Sequence, residues 1–181
     1  MHSILKPPVH SSDHFEGDAD APLVLVEYGD YECPHCGRAY PIVKAIQQKM
    51  GEKLKFVFRN FPLAQAHPHA FAAAIASEAA GRQGKFWPMH DILFENQQNL
   101  SGAAIRIYAK KIGLDEITFL DDMDNMELRS KVESDFESGI RSGVNGTPTF
   151  FVNGNRYNGS WEPAEFLSYL NEMYELSVAK T

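Results

Sequence analysis

The sequence predicts an α/β fold whose sheet is interrupted by a block of helices. Three observations carry this. Two strand-like runs, Leu23 to Tyr28 and Lys53 to Arg59, flank a helix-like run, which is the arrangement of a parallel strand pair joined by a crossover. Residues 64–142 then read mainly as helices. Strand character returns at Thr149-Phe150-Phe151-Val152, followed by the two-residue turn signal Asn153-Gly154 and a final amphipathic run.

Taken in order, residues 1–20 are polar, with two prolines, and read as a loosely held arm whose His2, His10 and His14 sit in solvent. Leu23 to Tyr28 is short and apolar enough for a buried strand. A helix begins near Cys33 and runs through Gly37 to Met50, with a kink expected at Pro41, which lacks an amide donor and crowds the preceding turn. Lys53 to Arg59 alternates as a strand with one buried face does, and Asn60-Phe61-Pro62-Leu63 ends it. Ala70 to Ala80 is rich in the strongest helix former. After Gly81 and Gly84, a helix resumes from Lys85 to Asn96, where Phe86, Trp87 and His90 read as packing. Ala103 to Ile112, Asp115 to Met123 and Met126 to Ser138 complete the block. Asn155 to Asn158 reads as the return strand of a hairpin, and Glu162 to Leu176 carries apolar residues at helical spacing. The chain thus divides into an arm (1–20), a discontinuous α/β domain (21–63 and 143–177) and an inserted helical domain (64–142).

With 181 residues and 44% hydrophobic content, this is an ordinary globular composition. A net charge of −7 argues against nucleic acid or an anionic membrane as the main partner. No apolar run approaches the roughly 20 residues of a membrane helix. The first twenty residues have no apolar core of a signal peptide, so the chain as written reads as cytoplasmic. A periplasmic protein with its leader trimmed would look the same. No separate dimerisation segment is visible, and a monomer is expected.

The two cysteines of the chain stand together in Cys33-Pro34-His35-Cys36, after a strand and at the start of a helix. That setting reads as a redox dithiol. Two intervening residues let the sulfurs meet across the first helical turn. The free N–H groups and positive dipole of the helix terminus favour a thiolate at Cys33, the nucleophile of disulfide exchange.

Three stretches carry a family resemblance: Glu27-Tyr28-Gly29-Asp30-Tyr31-Glu32-Cys33-Pro34-His35-Cys36, Phe58-Arg59-Asn60-Phe61-Pro62-Leu63, and Gly143 to Gly154 with Gly146-Thr147-Pro148-Thr149 at its centre. In this order, and over essentially Ala21 to Leu176, the chain resembles the DsbA-like branch of the thioredoxin superfamily. The resemblance implies a thioredoxin fold with a helical domain inserted in its middle. It implies thiol–disulfide exchange with protein substrates, an unidentified recycling partner, and neither cofactor nor metal.

Within this frame Cys33 is the expected nucleophile and Cys36, one turn further in, the more buried resolving thiol. A structural thiol pair or half of a zinc site is the competing reading; zinc usually takes four Cys or His ligands, and only two cysteines exist. His35 lies between the thiols, where its N–H or positive charge can stabilise a Cys33 thiolate; otherwise it is an exposed loop residue. Thiol pKa values in such motifs fall from about 8.5 to as low as roughly 3.5, which leans toward an oxidant. Thr147-Pro148 resembles the family's cis-proline step, which would leave the Thr147 backbone free to pair with an extended substrate segment. Pro34 is grouped with Thr147 and Pro148 as substrate-binding. The family also has a buried carboxylate at the place of Glu27. Such a group has a raised pKa and can move protons to and from Cys36 through water, unless this glutamate reaches solvent. His67 and His69 suggest either a metal clip or a helix start, and Phe61, Pro62 and Leu63 either a groove rim or core. Beside the DsbA-like oxidant stand a cytoplasmic reductase, a metal-binding module using Cys33, His35 and Cys36, and a chaperone-like holder of unfolded chains. The kappa-class glutathione transferases share the inserted helical block, but the resolving Cys36 weakens that reading.

Overall fold

The computed structural model describes residues 3–179, so His2 lies outside the described residues. Two parallel strands form its centre. Strand β2 (Leu23–Gly29) pairs with β3 (Leu54–Asn60) from Leu23 beside Leu54 to Gly29 beside Asn60. Helix α1 (Pro34–Met50) makes the crossover and continues through Pro41 without ending there. Strand β4 (Thr149–Val152) lies antiparallel to β2, and β5 (Asn155–Tyr157) antiparallel to β4. With β1 (His14–Gly17) on the other edge, the sheet order is β1-β3-β2-β4-β5. The β4–β5 turn follows from its sequence: Asn153 and Gly154 have φ of 45° and 80°, the left-handed pair that a two-residue hairpin requires.

Between β3 and β4 stand five helices: α2 (Ala70–Arg82), α3 (Phe86–Glu95), α4 (Gly102–Lys111), α5 (Glu116–Met123) and α6 (Met126–Arg141). Three of them begin at side chains suited to the task. Ser101 accepts from the Ala104 amide, Asp115 from Thr118 and Asn125 from Glu127, each satisfying an amide that the helix leaves free. Helix α7 (Pro163–Val178) closes the chain.

The strand period of two sorts the core into two layers. Leu23, Leu25, Phe56, Phe58 and Phe150 join the large cluster containing Ala39 and Val43 of α1 and Phe166 and Leu170 of α7. Val26, Tyr28, Val57, Phe61 and Phe151 form the opposite layer with Leu5 and Val144. Each such side chain contributes roughly 1.5–3 kcal/mol on burial. Glu27 therefore shares the face of Leu23 and Leu25, under α1, rather than reaching solvent.

Three expectations are corrected. The N-terminal arm is an integral part of the fold. Leu5 is buried, Ile4 bridges to Asn155, and β1 covers the outer edge of β3. The reason is a buried cation: Arg59 donates to Asp13 Oδ1 and Oδ2, each at 2.8 Å, and to the carbonyls of Pro7 and Pro8. His14 is likewise no solvated tail residue; its ring stacks on Phe86 with centroids 3.7 Å apart and meets Glu78 Oε2 at 2.7 Å. Strand β3, expected to bury one face, buries both, because the arm and α6 cover the second.

Candidate active site: a dithiol at a helix N-terminus

Strand β2 ends at Gly29, and the chain turns through Asp30, Tyr31 and Glu32 before Cys33 starts α1. Cys33 is the residue just outside the helix and Pro34 its first helical residue. Proline suits that place, since the amide it lacks would have been free anyway. No conventional side chain caps this helix. The amides of His35 and Cys36 at this open end help to hold a negative charge on the Cys33 sulfur.

Both thiols are free, and Cys33 is 4% exposed against 0% for Cys36. Their acidities diverge. The Cys36 thiol, donating to the Cys33 sulfur, is the largest cause that lowers the Cys33 pKa to about 5. Partial burial opposes it, and the Thr147 hydroxyl and the two amides assist. Burial first, then the Cys33 sulfur and Glu27, push Cys36 well above the ordinary thiol range. Thr147 faces Cys33 from the opposite wall: its carbonyl accepts from Sγ at 3.5 Å, and its buried hydroxyl has no other partner among the described residues. The Thr147–Pro148 peptide is cis.

Glu27 is 2% exposed, and its Oε1 has no hydrogen-bond partner among the described residues. Burial, with a smaller contribution from the Cys33 charge, raises its pKa to about 8, so the carboxyl is largely neutral at pH 7. His35 is exposed, and its imidazole Nδ1 meets the Arg38 guanidinium rather than a thiol. The expected contact of the His35 ring with the thiols is not among those the structure makes; only the backbone amide of His35 serves the Cys33 sulfur. Pro34 is exposed beside it, and Pro148 half-buried across the site.

The turn before α1 is held on two sides by Asp30, Glu32 and Gln97, whose part in it sequence reasoning missed. Asp30, 1% exposed, accepts at its carboxylate from the amides of Glu32 and Leu63 and from His67 Nδ1 at 2.8 Å, and its own amide donates to Cys36 Sγ. Glu32 accepts from the amide of His69 and meets its Nδ1. The two histidines thus clasp the turn to the loop before α2, with His69 the residue immediately preceding that helix and its side chain on Glu32 rather than on a helix amide. Among the described residues no three His, Cys, Asp or Glu are grouped to hold a metal. From the other side, Gln97 Nε2 donates to the carbonyls of Tyr31 and Cys33. No local signal marks the Asp30–His67, Glu32–His69 and Gln97–Cys33 pairs, because each joins residues 37 or more positions apart. His90 is packing as expected, buried among Phe58, Phe86, Trp87 and Phe94. Phe61 belongs to the core, stacked on Phe136, while Pro62 and Leu63 line a depression of about 770 Å³ with Phe71 and Phe136.

The sheet thus presents Cys33 at the N-terminus of α1, with Cys36 buried one turn behind it, the arrangement of a candidate dithiol site. A family model described as Thioredoxin matches residues 10–172. The chain therefore belongs to the thioredoxin family, and its fold is that of the DsbA-like branch. The crystal structure of Wolbachia pipientis alpha-DsbA1 superposes with a TM-score of 0.83 at 22% identity, covering 95% of this chain and 96% of that one. Oxidised BdbD from Bacillus subtilis gives 0.83 at 25% identity, covering 96% and 98%. Among curated proteins, Na(+)/H(+) antiporter NhaA 1 of Mycobacterium sp. (strain KMS) is 44% identical over 170 residues, which cover 93% of this chain and 28% of that protein. The chain spans about a quarter of the length of the curated relatives it matches.

Proposed function

We propose that this chain oxidises protein dithiols, with Cys33–Cys36 as the disulfide it passes on. The observation that carries the reading is the placement of the two thiols, Cys33 at the open N-terminus of α1 against the Thr147 carbonyl and Cys36 fully buried behind it, which drives their acidities apart. A substrate thiolate attacks the Cys33 sulfur. The Cys33–Cys36 bond breaks, a mixed disulfide forms, and Cys36 leaves as a thiolate. Cys36 then takes a proton, which the neutral carboxyl of Glu27, buried close enough to act on the Cys36 pKa, can supply. The second substrate thiolate attacks the substrate sulfur of the mixed disulfide and releases Cys33 as a stable thiolate. Two electrons have passed from the substrate dithiol to the protein. A good leaving thiolate at Cys33 speeds the last step and favours the reduced protein at equilibrium.

Thr147, with its carbonyl already at the Cys33 sulfur, would lie beside any extended substrate segment joined there. Pro34 and Pro148 flank that position. Ion transport is not assigned to this segment. Among the described residues no helix is long and apolar enough to cross a membrane, and the similarity to the antiporters covers about a quarter of their length.

The test is a reaction of the oxidised protein with a reduced, unfolded protein dithiol. Stoichiometric appearance of substrate disulfide is expected. A Cys36→Ser variant should accumulate a mixed disulfide through Cys33 when offered an oxidised substrate, and a Cys33→Ser variant should be inert. Equal reactivity of the two single variants would contradict the assignment of roles.

A further inference from the structure

We propose that Gln97, on the loop between α3 and α4 of the insertion, is a positioning residue that holds the Cys33 turn in its thiolate-stabilising geometry, and that Gly37 lacks a side chain so that Gln97 can enter. The inference rests on the thiol–disulfide reading above.

One amide group spans the turn. Gln97 Nε2 donates to the Tyr31 carbonyl at 2.9 Å and to the Cys33 carbonyl at 2.7 Å, using both of its protons. The Cys33 carbonyl also accepts from the Gly37 amide at 3.0 Å, so its two lone pairs are both engaged. Carbonyls either side of Glu32 are thereby fixed relative to α1. Their orientation determines where the Cys33 sulfur stands against the amides of His35 and Cys36. Gln97 bonds to the backbone of this turn and not to either sulfur, so it acts through Cys33.

Gly37 supplies the second observation. A Cβ there would stand 2.2 Å from Gln97 Oε1 and 3.1 Å from Nε2. The obstructed group is the far end of a flexible side chain, so a methyl at residue 37 would expel the Gln97 amide rather than distort the helix. Glycine inside a helix costs about 1 kcal/mol relative to alanine. Here that cost coincides with the place the amide enters. The helical insertion thus reaches into the sheet domain and sets the geometry of its redox turn.

The test uses the whole chain, with thiolate absorbance against pH and the glutathione equilibrium as readouts; a purely structural contact would move the melting temperature and leave both unchanged. In the wild type a reversible disulfide and an acidic Cys33 are expected. Gln97→Ala should raise the apparent Cys33 pKa by about one unit and shift the equilibrium about tenfold toward the disulfide. Gln97→Met, which keeps bulk but has no donor, should do the same and serves if the alanine variant folds poorly. Gly37→Ala should reproduce the shift, and the double variant Gly37→Ala/Gln97→Ala should go no further than either single change. Unchanged pKa and equilibrium in the folded Gln97 variants would overturn the proposal, as would a double variant whose effect is the sum of the two singles. A wild type with no reversible disulfide would instead sink the redox reading itself, and the Gln97 role with it.

Discussion

Cys33 and Cys36 are one helical turn apart and titrate in opposite directions. The difference is geometric: Cys33 stands at the open end of α1 among donors, and Cys36 is buried beside Glu27. Glu27 is the residue at which this account is most exposed to a pH experiment. Its pKa rises from the ordinary 4.5 to about 8 in the folded chain. A raised folded value means the full stability is present below about 4.5 and is lost as pH climbs to about 8. At pH 7 the loss amounts to about 3 kcal/mol on this reckoning. Glu27→Gln should therefore stabilise the protein by about 2–3 kcal/mol at pH 7 and by almost nothing at pH 4, read from urea unfolding. Equal effects at the two pH values would mean the carboxyl is not buried in a neutral form. The same variant should slow resolution at Cys36 while leaving the Cys33 pKa near 5.

At the scale of elements, what was legible in the sequence was what is encoded locally. The Cys-x-x-Cys spacing at a strand-to-helix junction, the Asn153-Gly154 turn and the helical runs of α4 to α6 each depend on residues within a few positions of one another. The arm was misread because its order depends on a distant partner. Its polar composition matches a solvated tail until Arg59 is seen buried on β3 and in need of Asp13. Burial alone would raise the Asp13 pKa; the hydrogen bonds and charge of Arg59 outweigh it and hold the carboxyl below its ordinary value. Both side chains are 1% exposed. Removing one member of such a pair strands the other, so Asp13→Ala should cost about 3–5 kcal/mol. A loss under about 1 kcal/mol, the range of surface pairs, would show that the arm is dispensable. Asp30 and Gln97 escaped notice for the same reason as Asp13: their partners lie in other segments of the chain.

For the whole molecule, the proposed redox cycle is tied to the stability of the fold through Cys33. Its pKa falls from the ordinary 9.0 to about 5 in the reduced protein. A depressed value contributes stability that is fully present above about 9 and is lost as pH falls through about 5. At pH 7 the contribution is about 3 kcal/mol, and it belongs to the reduced form alone, since the disulfide has no thiol to ionise. The advantage of the reduced over the oxidised protein in denaturant should thus shrink by about 3 kcal/mol between pH 7 and pH 4.5. A gap that does not change with pH would leave the acidic thiolate without support.

The same energy displaces the redox equilibrium by about 60 mV toward the reduced protein, at about 30 mV per 1.4 kcal/mol. The most direct test is the equilibrium of Cys33–Cys36 with graded glutathione mixtures, read by mass after alkylation. A potential well above about −220 mV, the upper end of the biochemical estimate for cytosolic glutathione, is the result expected of a disulfide donor. A potential near or below about −270 mV, the value of thioredoxin, would contradict it and make the chain a reductase.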